Sequence, residues 1–185
     1  SSEVDPDPIV GLIKLRNEVY VLNRHTIEVF DNVGGEFFPF QRIDGAQTTK
    51  GILSKNTACV YMDAIAMLGG GRNEAITVCV AAAGSSQKIA TREVEQILSN
   101  YTEDQLSKCL LESRQIDGHS WLYIHLPDQT LVYDSVASQT TGQPTWFILN
   151  SGGGYKARNM THAYNKWFVG HTTEPKLGVL TDESG

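Results

Sequence analysis

Five histidines, three cysteines and 21 carboxylates carry the reactive chemistry available to this chain. His119 and His125 are the nearest pair of histidines, six residues apart in IDGHSWLYIHLPD, which reads as strand. On a strand such a separation puts both rings on one face, with Trp121 between them, yet about 20 Å apart at the usual rise per residue. One ion cannot bridge that distance. His25, His162 and His171 fall in or beside turns without ligand-like spacing, so no metal site is expected. Cys59, Cys79 and Cys109 are odd in number and well separated, and two of them sit in apolar runs where a reduced thiol acts as a small hydrophobe. They are expected to be unpaired, in a protein made in a reducing compartment.

The glycine clusters LGGGRN and SGGG invite comparison with phosphate-binding loops, which need a helix directly after the glycines. Both lead into β-like sequence with no Lys-Ser or Lys-Thr, so they read as turns. SQTTGQPTW (138–146) bears only a faint likeness to the Asp-box turn of sialidases, and it fails at the defining residue: Thr140 stands where the Asp belongs and the Trp comes one residue late. There is no G-x-S-x-G elbow, and no His or Cys in a nucleophile context. Asp31, Asp134 and Asp182 each close a hairpin, where a carboxylate accepts backbone N–H bonds from the following turn; their repetition points to architecture. The sequence therefore nominates no catalytic residue, no cofactor-binding residue and no metal ligand, and the chain is not expected to be an enzyme.

The elements that carry these residues show an internal echo. GLIKLRNEVYVLNRHTIEVFDNVGG and IDGHSWLYIHLPDQTLVYDSVAS share one plan: strand, polar turn, strand, and an aromatic-Asp close at Phe30-Asp31 and Tyr133-Asp134. Looser versions, DAIAMLGGGRNEAITVCV and AYNKWFVGHTTEPKLGVLTD, place strand starts near Glu18, Asp63, Ser120 and Lys166, roughly 45 to 57 residues apart. Several strands per unit at such a period is the mark of radial repeat folds. The first hairpin is read as Gly11 to Leu22 with Thr26 to Phe30, turning at Asn23-Arg24-His25. Phe37, Phe38 and Phe40 belong to a connector packed on a neighbouring sheet. Ile52 to Ala66 reads as a strand pair, AITVCVAA as a strand, and GSSQK as a turn. In ATREVEQILSNYTEDQL the period becomes helical: Val94, Ile97, Leu98 and Tyr101 share a face behind a Thr91 cap, and a second short turn starts at Thr102. Trp121 to Leu126 carries bulky groups on both faces and reads as an interior strand. SQTTGQPT reads as a loop, WFIL as a strand, and Trp167 to Leu180 as a last hairpin.

The fold class expected is all-β with a short helical insertion near Arg92 to Asn100: a β-propeller-like repeat of antiparallel sheets, with room for further blades outside this chain. Residues 1–8, polar and interrupted by proline, read as a disordered leader or a cut end, and 9–182 as a single propeller-like domain. No apolar run approaches the roughly 18 residues needed to span a bilayer. The formal charge of −6 supplies no basic footprint for phosphate backbones, so strong nucleic-acid binding is not expected.

In order and spacing, GLIKLRNEVYVLNRHTIEVF, KGI at Lys50 to Ile52, KIATREVEQILSNYTEDQL, IDGHSWLYIHLPDQTLVYD and Trp146 resemble the packaged-DNA stabilisation proteins of short-tailed bacteriophages, over residues 9 to 150 and more loosely beyond. The resemblance implies a propeller-like virion protein of the tail hub or nozzle, made in the host cytoplasm and assembled as a ring, commonly a hexamer. Its implied neighbours are the adaptor below the portal, the tail needle and the tailspike. The implied role is to close the DNA channel after packaging and to serve as conduit at ejection. Two rival readings stand beside it: a carbohydrate-binding or carbohydrate-active propeller, and a generic propeller interaction module.

Overall fold

In the computed structural model, residues 7–34, 40–43, 45–82 and 84–150 are described together with the backbone of 176–180. The chain builds three antiparallel meanders in succession. Sheet 1 runs β1 (Ile9–Leu15), β2 (Glu18–Asn23), β3 (Ile27–Asn32), β4 (Phe40–Arg42); sheet 2 runs β5 (Ala58–Tyr61), β6 (Ala64–Gly69), β7 (Thr77–Ala82), β8 (Ser85–Lys88). Sheet 3 runs β9 (Leu110–Ile116), β10 (His119–His125), β11 (Gln129–Asp134), β12 (Trp146–Asn150) and adds β13 (Lys176–Leu180) beyond β12. The expected all-β class with a short helical insertion holds: α1 (Arg92–Ser99) and α2 (Glu103–Ser107) join sheets 2 and 3, and α3 (Ser135–Thr141) joins β11 to β12.

The sequence period locates these units, one strand late. Glu18, Asp63 and Ser120 stand at the starts of β2, β6 and β10, each the second strand of its sheet; Lys166 lies outside the described residues. What hides the first strand is the turn that follows it. Arg16, Met62 and Asp117 each begin a two-residue hairpin turn in the left-handed region, with φ of 57°, 56° and 50°. Asp117-Gly118, with Gly118 at φ 79°, is the favoured pairing of residues for such a turn. Arg and Met at that φ carry roughly 1–2 kcal/mol of backbone strain and leave no turn signature in the sequence. Gly11 to Leu22 is accordingly two strands broken at Arg16-Asn17, and LLESRQI before Asp117 is a strand that the helical reading passed over.

Two further readings are corrected. GSSQK is an edge strand, β8, whose four side chains are all exposed; an edge strand needs only one-sided backbone pairing and no apolar face. SQTTGQPT begins inside α3, whose Asp134 cap accepts from Val136 N and Ala137 N at 2.9 and 3.3 Å and whose Gly142 closes it at φ 76°. The α1 and α2 readings hold, with Thr91 accepting from Val94 N and Thr102 exchanging capping-box bonds with Gln105. Phe37 and Phe38 lie outside the described residues.

Sheet 2 is sandwiched. Along β6, Ile65 and Met67 enter a core with Tyr20, Leu22, Ile27 and Val29 of sheet 1, while Ala66 and Leu68 enter a second core with Leu122, Ile124, Leu131 and Trp146 of sheet 3. Val94, Leu98 and Leu106 of the two helices cap that second core. The first strands lie side by side, β1 against β5 and β5 against β9, so the sheets stack face to face with their leading strands gathered along one line. Among the described residues no core cluster joins sheet 1 to sheet 3.

Candidate docking surface

The gathered leading strands are unusually apolar where they meet solvent. Ile9 and Leu12 on β1 are 68% and 66% exposed, Met62 at the tip of β5 is 55% exposed, and Val60 and Leu110 on β5 and β9 are exposed as well. Isolated exposed apolar side chains are ordinary; here four lie on three neighbouring strands and Met62 lies in the turn after β5. The Arg16 to Asp63 ion pair, 3.4 Å, links the first hairpin tips of sheets 1 and 2 beside it.

Between sheets 2 and 3 that end of the stack opens into two crevices of about 450 and 430 Å³, which meet at Tyr61 and Met62. The larger lies between β6–β8 and α3 and is lined by Gln87, Gln139, Gln143, Tyr133, Ser138 and Pro144 among others, with no acidic or basic side chain among the described residues. The smaller lies against β9 and holds Asp63 and Arg114, both already paired: Asp63 to Arg16, and Arg114 to Glu112 at 2.9 Å with its guanidinium over the Tyr123 ring. Tyr61 donates its hydroxyl to Ser120 O at 2.5 Å, and burial, the main cause, pushes its phenol up to about 12. Tyr133 is held edge-on to Tyr61, centroids 6.0 Å apart, and against Trp146 at 5.2 Å.

The residues that the sequence singled out serve the scaffold. His119, Trp121, Tyr123 and His125 form a ring ladder along one face of β10, with successive centroids 6.3, 6.2 and 6.1 Å apart. His119 Nδ1 lies 3.5 Å from Asp134, and His125 sits between Glu112 Oε1 at 3.1 Å and Thr130 Oγ1 at 3.3 Å. His25 donates its backbone N–H to Asp7, which also accepts from Thr26 Oγ1. Asp134 is fully buried as the α3 cap, whereas Asp31 lies within β3, half-buried opposite Glu18 and Gln41, so the echoed Asp has two different roles. Phe30 and Tyr133, expected from the repeat to be largely buried at equivalent positions, sit on the third strands of different sheets but are only half-buried. His162, His171 and Asp182 lie outside the described residues. All three cysteines are free thiols; burial first, then the Glu112 charge, pushes Cys59 up to about 12, and burial raises Cys79 and Cys109. Among the described residues no group of three or more His, Cys, Asp or Glu is placed to hold a metal ion.

The crevice residues were not nominated by sequence reasoning. One signal was present: residues 135–149 contain no charged side chain. A solvent-facing helix and turn without charge is a surface prepared for something other than water.

The full length of the chain, residues 1–185, matches the family model described as Bacteriophage P22 Gp10, β-propeller. The chain belongs to this phage-stabilisation family. It is 27% identical to the tail hub protein gp10 of Salmonella phage P22 over 187 residues, covering 97% of this chain and 39% of that relative. A member of this family is a phage tail-hub or stabilisation protein in general identity, and the chain spans about two fifths of the relative it matches. The three stacked meanders are the part of the family fold described here.

Proposed function

We propose that this protein is a non-enzymatic structural component at the tail end of a phage particle, which helps close the DNA channel after packaging and forms part of the conduit for genome ejection. The observation that carries this reading is the family match over the whole chain. The physical character of the molecule supports it. A protein that retained DNA by gripping phosphates would need clustered Lys and Arg, whereas this chain carries −6. An acidic wall repels the genome and lets it slide, so retention is mechanical. Binding to duplex DNA is expected at roughly 10⁻⁴ M or weaker at physiological salt.

In this reading copies of the protein form a ring, six in number, below the adaptor of the portal, with the tail needle and tailspike as neighbours; residues 9–182 act as one propeller-like domain of a longer chain, and synthesis takes place in the host cytoplasm. The exposed Leu12, Val60 and Leu110 give such an assembly apolar side chains to bury. The carbohydrate reading has no support in the tyrosines: both rings at the groove are packed against other aromatic rings, which leaves no open platform for a sugar. Gold-labelled antibody against this protein on intact particles tests the placement. Label confined to the tail vertex is expected; label on the capsid faces, or none on particles, would refute it.

A further inference from the structure

The groove formed by the two crevices has a chemistry that selects its occupant. Among the described residues its larger half has no acidic or basic side chain, and the two charges of the smaller half are paired within the protein. A phosphate or carboxylate would find no counter-charge there and would lose its hydration. The carboxamides of Gln87, Gln139 and Gln143 make no hydrogen bond to other described residues, and neither does the Tyr133 hydroxyl. Each carboxamide offers a donor and an acceptor together, which is what each residue of an extended peptide presents in return. Gln87 stands on β8, the outer edge of sheet 2, whose outward backbone groups have no strand partner among the described residues. A chain laid in the groove from the β8 side can therefore pair as an added strand. Met62, exposed at the junction of the two crevices, is a flexible thioether able to fit varied apolar side chains.

We propose that this groove between sheets 2 and 3 docks an extended, uncharged peptide segment of a neighbouring tail protein, held by Gln87, Gln139, Gln143 and Met62. The location of the partner rests on the tail reading; the chemistry of the occupant rests on the groove. To test it, a photoreactive benzoylphenylalanine is placed at Gln139 in assembled particles, and crosslinked peptides are identified by mass spectrometry. The expected product joins Gln139 to a segment of another tail protein free of Asp, Glu, Lys and Arg, and its yield falls about tenfold or more with Gln87→Glu plus Gln143→Glu, because unpaired carboxylates then face a neutral occupant. Crosslinks to DNA, to lipopolysaccharide or to a charged segment would overturn the proposal, as would a yield no greater than with the same label at Arg92 on the exposed side of α1. If the label at Gln139 prevents assembly, the same label at Gln87 on the opposite wall is read in the same way. Absence of the unlabelled protein from particles would instead sink the tail reading. The purified chain would then be titrated with an uncharged Pro-Thr-Gln probe peptide and its Asp-substituted analogue: preference for the uncharged probe supports the groove, and no preference overturns it.

Discussion

The junction of sheets 1 and 2 is stitched by backbone, while the junction of sheets 2 and 3 is stitched by side chains. In the first, Thr48 exchanges backbone bonds with Ile27 at 3.0 and 3.1 Å, and Ile52 N donates to Asn23 O at 3.0 Å. On its other side the same strap, residues 48–53, bonds to sheet 2: Gly51 N donates to Gly70 O and Leu53 N to Leu68 O, each at 3.3 Å. In the second, Trp146 Nε1 donates to Ile89 O at 2.8 Å, Ser113 Oγ to Val60 O at 2.7 Å and Tyr61 to Ser120 O, with α1 and α2 filling the space between. A backbone seam holds two sheets at a fixed close distance. A side-chain seam can be held open, and this one leaves the groove.

The largest effect is expected where the side-chain seam depends on one residue. Trp146 is fully buried, so Trp146→Ala removes its packing on Tyr133 as well as its bond to Ile89. A loss of about 3–5 kcal/mol in chemical unfolding is expected; a loss under about 1 kcal/mol would mean that the helices alone hold sheets 2 and 3 together.

Next is the backbone seam. A Cβ on Gly69 would stand 2.1 Å from Gly51 O, with the Gly51 carbonyl carbon and Ile52 Cα both at 2.9 Å, so there is no flexible side chain to yield. Gly69→Ala should cost up to about 3 kcal/mol, and hydrogen exchange should quicken at Ile52 and Leu53 before it does in β10. Neutral behaviour would show that the strap is looser than its hydrogen bonds imply.

Much of this contrast was legible beforehand, and the illegible part has a physical cause. The repeat, the α1 and α2 caps and the interior position of β10 follow from periodicity and short-range hydrogen bonding, which are written locally in the chain. β1 was fused to β2 because Arg16 takes a left-handed φ with no glycine to announce it. β8 was hidden because all four of its side chains face water. The groove was illegible because its walls come from β6–β8 and α3, some 50 residues apart, and α3 itself is Ser and Thr rich with only its Asp134 and Gly142 ends to mark it.

A smaller effect attaches to that wall. Asp134→Ala removes both cap bonds of α3 and should cost about 1–2 kcal/mol, with hydrogen exchange rising in 136–141 and unchanged in β6. Equal loosening of both seams would break the distinction between them.

Smallest at neutral pH is the titration of the side-chain seam. Cys59 and Tyr61, with folded values near 12 against ordinary values of 9.0 and 10.0, are both held neutral there. Their contribution is fully present below the ordinary values and is lost as pH rises through the folded ones. Cys59 should therefore resist a thiol reagent at pH 8 in the folded protein, and alkali between about pH 9 and 12 should loosen sheet 3 from sheet 2 before it loosens sheet 1. Prompt labelling of Cys59 at pH 8 would contradict this.

The role in the particle is tested most directly by removing the gene and examining what assembles. Particles that package DNA and then lose it, leaving empty heads that complementation with the intact gene restores to full ones, are the expected result. Full, infectious virions formed without this protein would contradict the role proposed for it as a closing element of the tail.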